Sequence, residues 1–146
     1  MPITISGDTP NFSAATITTG TVTTLTTTTI SDGTNSTSAT NCIQGSAKAW
    51  VAFNGVTSPS IRASYNVSSV TRYSTGQYLV TFTNAMIDAN YCFQCNAQDQ
   101  NNGMGIPTPG ADPTRTITAS AFPVIYNYPP DTAYYDAQIF TVTIFR

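Results

Sequence analysis

Few residues in this chain could carry chemistry: Cys42, Cys92 and Cys95, seven Asp and eight Tyr, in 146 residues with no His and no Glu. Without His there is no Ser-His-Asp or Cys-His triad, no imidazole metal ligand and no His proton shuttle. An acid/base pair would have to come from Asp8, Asp32, Asp88, Asp99, Asp112, Asp131 and Asp136. Each of these is also the residue type that closes a turn by bonding its own backbone. Glycan hydrolysis by an Asp pair would need a long groove, which so short a chain is poorly placed to build. The expectation is a protein that is not an enzyme and takes neither cofactor nor metal.

Cys92 and Cys95 form a C-x-x-C pattern. Redox pairs of this kind sit at a helix start with one thiol exposed. Here the pattern lies in YCFQC, which reads as a strand, and residues three apart on a strand point to opposite faces. The two sulfurs then neither bond each other nor share a zinc ion. The reading is three reduced cysteines acting as small, partly buried hydrophobes.

Aromatic rings are the remaining candidates, because their faces match the apolar face of a pyranose and a phenol adds a polar edge. Trp50, Tyr65, Tyr73, Tyr78 and Tyr91 lie in strand-like segments and are assigned to the core. Tyr126, Tyr128, Tyr134 and Tyr135 surround NYPPDTAYY, where two adjacent prolines and no alternation predict an exposed loop. These four are the candidate binding residues, with contact between subunits as the competing role.

The elements that must position these residues fall into two parts. Charged residues make up only 8% of the chain, so the surface is built from hydroxyls and amides, as on extracellular or virion proteins. Net charge is −2, and Lys48, Arg62, Arg72, Arg115 and Arg146 are scattered singly, which argues against nucleic acid. No apolar run is long enough to span a bilayer, and the first 20 residues lack the pattern of a signal peptide. Residues 1–45 read as an extended Thr-rich arm. Fifteen of the first 47 residues are Thr, and Phe12 is the only aromatic among them. Within the arm Ile17, Val22, Leu25 and Ile30 are spaced five, three and five apart. Thr favours extended backbone. One copy cannot bury four isolated aliphatics against itself, but three intertwined copies could place them on a shared axis, so these residues are the candidate trimer stalk; the alternative is a flexible Thr/Ser linker.

Residues 46–146 hold nearly all the aromatic residues and read as strands: 47–53, 61–67, 70–73, 77–83, 91–97, 115–122 and 138–145. Asn54-Gly55 and Ser74-Thr75-Gly76 are turn signals. The segment 98–113 reads as a long loop. Only Asp88 offers a helix start. The fold expected is all-β, an antiparallel β-sandwich or jelly-roll-like domain behind the arm.

Lys48 to Gly55 (KAWVAFNG), Ile61 to Val70 (IRASYNVSSV) and Gly76 to Phe93 (GQYLVTFTNAMIDANYCF) resemble a β-rich C-terminal module of tailed-phage and prophage virion fibre and appendage proteins. The resemblance is good over about residues 46–95 and looser through the closing FTVTIFR. It implies a homotrimeric virion component, assembled in the host bacterial cytoplasm. The expected partners are other virion proteins, docked through the N-terminal arm, and a host cell-surface glycan. Neither nucleic acid nor membrane insertion is expected, and the resemblance implies no catalytic residues. The short arm keeps a head fibre or a capsid decoration protein without receptor binding beside a tail fibre, with a polysaccharide-degrading enzyme as the minor alternative.

Overall fold

Three segments with clear two-residue alternation form the centre of the protein. In the computed structural model, which describes residues 27–99, 108–128 and 133–146, they are β3 (Ala47–Asn54), β6 (Gln77–Phe82) and β11 (Ala137–Phe145). Before them lie β1 (Thr29–Ser31), β2 (Ser36–Ser38) and α1 (Ala39–Gly45); between them lie β4 (Ser60–Tyr65), β5 (Val67–Ser74), β7 (Cys92–Asp99), β8 (Thr108–Ala111), β9 (Ala121–Tyr128) and β10 (Ala133–Tyr134). Among the described residues the protein is all-β apart from one short helix, and every strand pairing is antiparallel.

One sheet has the order β4-β3-β11-β7; a second has the order β10-β9-β6-β5, with β8 also paired to β9. Alternate residues of both sheets meet in a single core. Ala49, Val51 and Phe53 of β3 and Phe140, Val142 and Ile144 of β11 come from the first sheet. Tyr78, Val80 and Phe82 of β6 and Phe122, Val124 and Tyr126 of β9 come from the second. Phe140 is the aromatic hub, stacked on Phe53 at 5.2 Å and edge-on to Tyr78 at 5.9 Å and Tyr126 at 6.2 Å. Such pairs add to the area term because a ring's positive edge meets a negative face. The expected hairpin is present, with Gly76 at φ 64 in the turn between β5 and β6. That sign of φ suits glycine, which has no Cβ to clash.

Four expectations are corrected. No helix starts at Asp88: its carboxylate accepts from Asn90 N at 2.8 Å and pairs with Arg146, which closes a turn instead. Residues 39–45, read as part of an extended arm, are helical, because Ser38 caps them by accepting from Asn41 N at 3.0 Å. The strand expected at 115–122 is displaced to Ala121–Tyr128, and much of the predicted tyrosine loop becomes β9 and β10. The long loop is shorter than expected, since β7 runs to Asp99 and β8 begins at Thr108. Ile17, Val22 and Leu25 lie outside the described residues. Ile30 sits in β1 and is exposed.

Candidate functional site

The outward face of the β4-β3-β11-β7 sheet is the most distinctive surface. Cross-strand partners share a face, so the register defines its rows. Tyr65 lies opposite Trp50, Trp50 opposite Thr143, and Thr143 opposite Gln94. The adjacent row runs Ala63, Ala52, Thr141, Asn96. Trp50 is 39% exposed and Tyr65 57% exposed, although both were expected in the core. Alternation separates Trp50 from Val51 and Phe53 but does not say which set faces inward; Val51 and Phe53 turn in, to meet Phe140 and Val142 of β11. The alanines leave a low floor beside the two rings. At the far end an open pocket of about 170 Å³ is lined by Asn96, Ala97, Gln98, Ile139 and Thr141.

Among the described residues no carboxylate lies on this face, and the two cations at its margins have hydrogen-bond partners. Arg62 reaches over β3 to donate to the Gln138 carbonyl at 3.0 Å. Lys48 donates to the carbonyls of Ile43 and Ser46 at the end of α1. The other three cations are engaged as well: Arg72 with Asp136, Arg115 with Asp112, and Arg146 with Asp88. All five cations of the chain therefore have partners within it. Phosphate binding needs clustered Lys and Arg, and three of these five are paired with carboxylates.

The aspartates form structural nodes. Asp136 accepts from Arg72 Nε at 2.9 Å, Arg72 Nη2 at 2.8 Å, Gly76 N at 2.8 Å and Tyr78 Oη at 2.9 Å. Burial would raise its pKa, but these donors outweigh it and hold the carboxyl below the usual carboxylate range. Asp112, 2% exposed, accepts from Thr114 N at 2.8 Å, Thr114 Oγ1 at 2.7 Å and the Tyr73 hydroxyl, while Arg115 stacks 3.6 Å above the Tyr73 ring. Its pKa is likewise lowered: burial opposes the shift, and the Tyr73 and Thr114 donors and Arg115 prevail. Each carboxylate is saturated with donors, an arrangement that fixes loops rather than moving protons. Among the described residues no group of three Cys or Asp side chains could hold a metal ion.

The C-x-x-C residues lie in β7 as a strand requires, with Cys92 exposed and Cys95 turned toward the core. Burial pushes the Cys95 thiol up to about 12. The four candidate tyrosines do not form an exposed group. Tyr126 is 1% exposed and packs edge-on to Phe140, which corrects its assignment as a binding residue: β9 carries it inward in register with Val124 and Phe122. Tyr128 ends β9, with its side chain outside the description. Tyr134 is half-buried in β10. Tyr135 is 42% exposed, and its backbone N–H donates to the Tyr126 carbonyl at 3.1 Å. The backbone thus brings the four residues together, but the exposed aromatic pair is Trp50 and Tyr65. Sequence reasoning missed it; the available signal was the alternation of Trp50 and Ala52 against Val51 and Phe53.

Comparison with protein-family models, with curated proteins and with solved structures finds no match for the chain.

Proposed function

We propose that this chain is a structural component of a bacteriophage virion, a short trimeric fibre whose β-sandwich domain stands on the Thr-rich N-terminal segment and contacts the host surface. The observation that carries the reading is the sparsely charged exterior: the five Lys and Arg side chains each have a partner within the chain, and a sheet face of Trp, Tyr, Thr, Ala, Gln and Asn is left outward. Such a surface suits a particle exterior better than a nucleic-acid partner. The similarity of KAWVAFNG, IRASYNVSSV and GQYLVTFTNAMIDANYCF to appendage modules supports the same reading. The sequence pattern supports a trimer: Ile17, Val22, Leu25 and Ile30 are too few and too widely spaced for one copy of a Thr-rich segment to offset the ordering of its backbone.

Two measurements test it. Sedimentation equilibrium of the full chain should give three times 15.5 kDa, with the trimer weakened by removal of residues 1–45. Antibody labelling of purified particles should place the protein on the tail or on head fibres. A monodisperse monomer, or particles that carry no label, would overturn the reading. Label spread evenly over the capsid, with infection unchanged when the protein is absent, would mark a decoration protein instead.

A further inference from the structure

We propose that the Trp50–Tyr65 face binds a neutral saccharide, stacking pyranose rings on the two aromatic rings and taking sugar hydroxyls on Gln94, Asn96, Thr141 and Thr143. The proposal rests on the reading of the protein as a host-contacting appendage, and gives that contact a place and a ligand chemistry. Trp50 and Tyr65 are directly opposed partners of β3 and β4, so their side chains leave the same face of the sheet. Both rise from a sheet whose next row is the low Ala63–Ala52 pair, so an apolar step borders a shallow floor. Continuing along both rows, the surface changes to hydroxyls and then amides. Three inter-strand spacings of about 4.8 Å give the strip a width of roughly 14 Å, the reach of a short oligosaccharide.

Charge and area single out this occupant. Among the described residues no carboxylate lies on the face, so a cationic ligand finds no counter-charge, and the donors of Arg62 and Lys48 at its margins are already held on backbone carbonyls and turned away from a ligand over the rings. The two rings, at 39% and 57% exposure, offer roughly 200 Å² of aromatic surface, so a second copy would have to draw most of the about 800 Å² it needs from the hydroxyls and amides around them. That area suits a few sugar rings, and the amides and hydroxyls beside it are what sugar hydroxyls need.

Trp50 is the chain's single tryptophan, so its fluorescence reports this face alone. The full chain is titrated with α-linked and β-linked glucose hexamers, chitohexaose and a neutral galactan, up to tens of millimolar. At least one should give a saturable change in Trp50 emission, with a midpoint in roughly the millimolar range. Tyr65→Ala should weaken that midpoint roughly tenfold, Tyr65→Phe should restore it, and Tyr135→Ala should leave it unchanged. Thermal unfolding of each variant checks that the fold is retained. The proposal fails if no oligosaccharide moves the emission, or if Tyr65→Ala binds like the parent. It also fails if Trp50 emission shifts with protein concentration alone and Tyr65→Ala dissociates the oligomer, since the face would then be a subunit contact. A trimer on particles with no saccharide response removes the site and leaves the virion reading. Saccharide binding by a protein absent from particles removes the virion reading and leaves the site's chemistry.

Discussion

Arg72 and Asp136, 64 residues apart in the chain, form a two-point ion pair that ties the β5–β6 hairpin to the entry of β11. The same carboxylate caps the hairpin turn through Gly76 N and anchors Tyr78, whose hydroxyl also donates to the Gly55 carbonyl at 3.1 Å. One side chain thereby joins both sheets at the end of the domain where β3 turns.

Asp136→Asn should therefore destabilise the domain by about 2 kcal/mol, a value reduced from that of a fully buried pair because both side chains keep some exposure to water. The amide cannot accept the full set of donors, and Arg72 keeps an unmatched charge. Urea unfolding followed by circular dichroism measures the loss. Arg72→Ala should cost a similar amount, and the double variant should cost less than the sum, because the two residues act as a unit.

Stability against pH follows from the same groups. Asp136 and Asp112 have lowered folded pKa values, so their contribution is present above the ordinary carboxylate range and is lost as the pH falls below about 4. Tyr73, Tyr78 and Tyr91 have raised values, chiefly through burial, and Tyr91 is pushed up to about 12. Their neutral forms are favoured in the fold, so this contribution is present below about pH 10 and is lost as the pH rises toward the folded values. With no His in the chain, no side chain has its ordinary titration between pH 5 and 8. Unfolding midpoints should be level from about pH 5 to 9 and fall on both sides. A step near pH 6 to 7 would contradict this account.

The parts of the fold legible in the sequence were those where alternation is self-contained. β3, β6 and β11 each carry the two-residue pattern, and in each of them one of the two sets it separates enters the core. β9 was misplaced because Pro123 sits inside it, and proline ordinarily demotes a strand. The carbonyl of Pro123 accepts from Asp112 N at 3.0 Å, so its missing N–H points to the same side, where β8 has already ended at Ala111. The reciprocal bond to the Asp112 carbonyl is missing only at this last rung, where that carbonyl accepts from Arg115 N at 3.3 Å instead, an arrangement that depends on where β8 stops and not on local sequence. The candidate site was hidden for a related reason. Trp50 and Tyr65 look like core aromatics until the second sheet shows which side of β3 it covers.

Two glycines separate packing from propensity. A Cβ on Gly55 would stand 2.6 Å from Tyr78 Cζ and would overlap the Tyr78 hydroxyl, which is fixed by Asp136 and the Gly55 carbonyl. Gly55→Ala should cost about 1–3 kcal/mol through this overpacking. Gly45, the last residue of α1, has nothing within 4 Å of such an atom. Gly45→Ala should be neutral or stabilising by up to about 1 kcal/mol. Thermal melts of the two single variants give the comparison, and equal effects would show that the turn at Gly55 relaxes around the methyl group.

Thiol reactivity tests the register of β7. Cys42 and Cys92 are exposed, whereas Cys95 is turned toward the core with its thiol pushed up to about 12. The thiolate is the reacting species, and burial restricts both its formation and its access. In the native protein a thiol-specific disulfide reagent should label two cysteines quickly and the third only at the rate of unfolding, with all three reacting in denaturant. Cys95→Ser should leave the fast phase intact, and Cys92→Ser should halve it. A one-residue slip of β7 against β11 would turn Cys92 inward and Cys95 outward. The fast phase would then be halved by Cys95→Ser rather than by Cys92→Ser, and the outward rows that end in Gln94 and Asn96 would be lost with it.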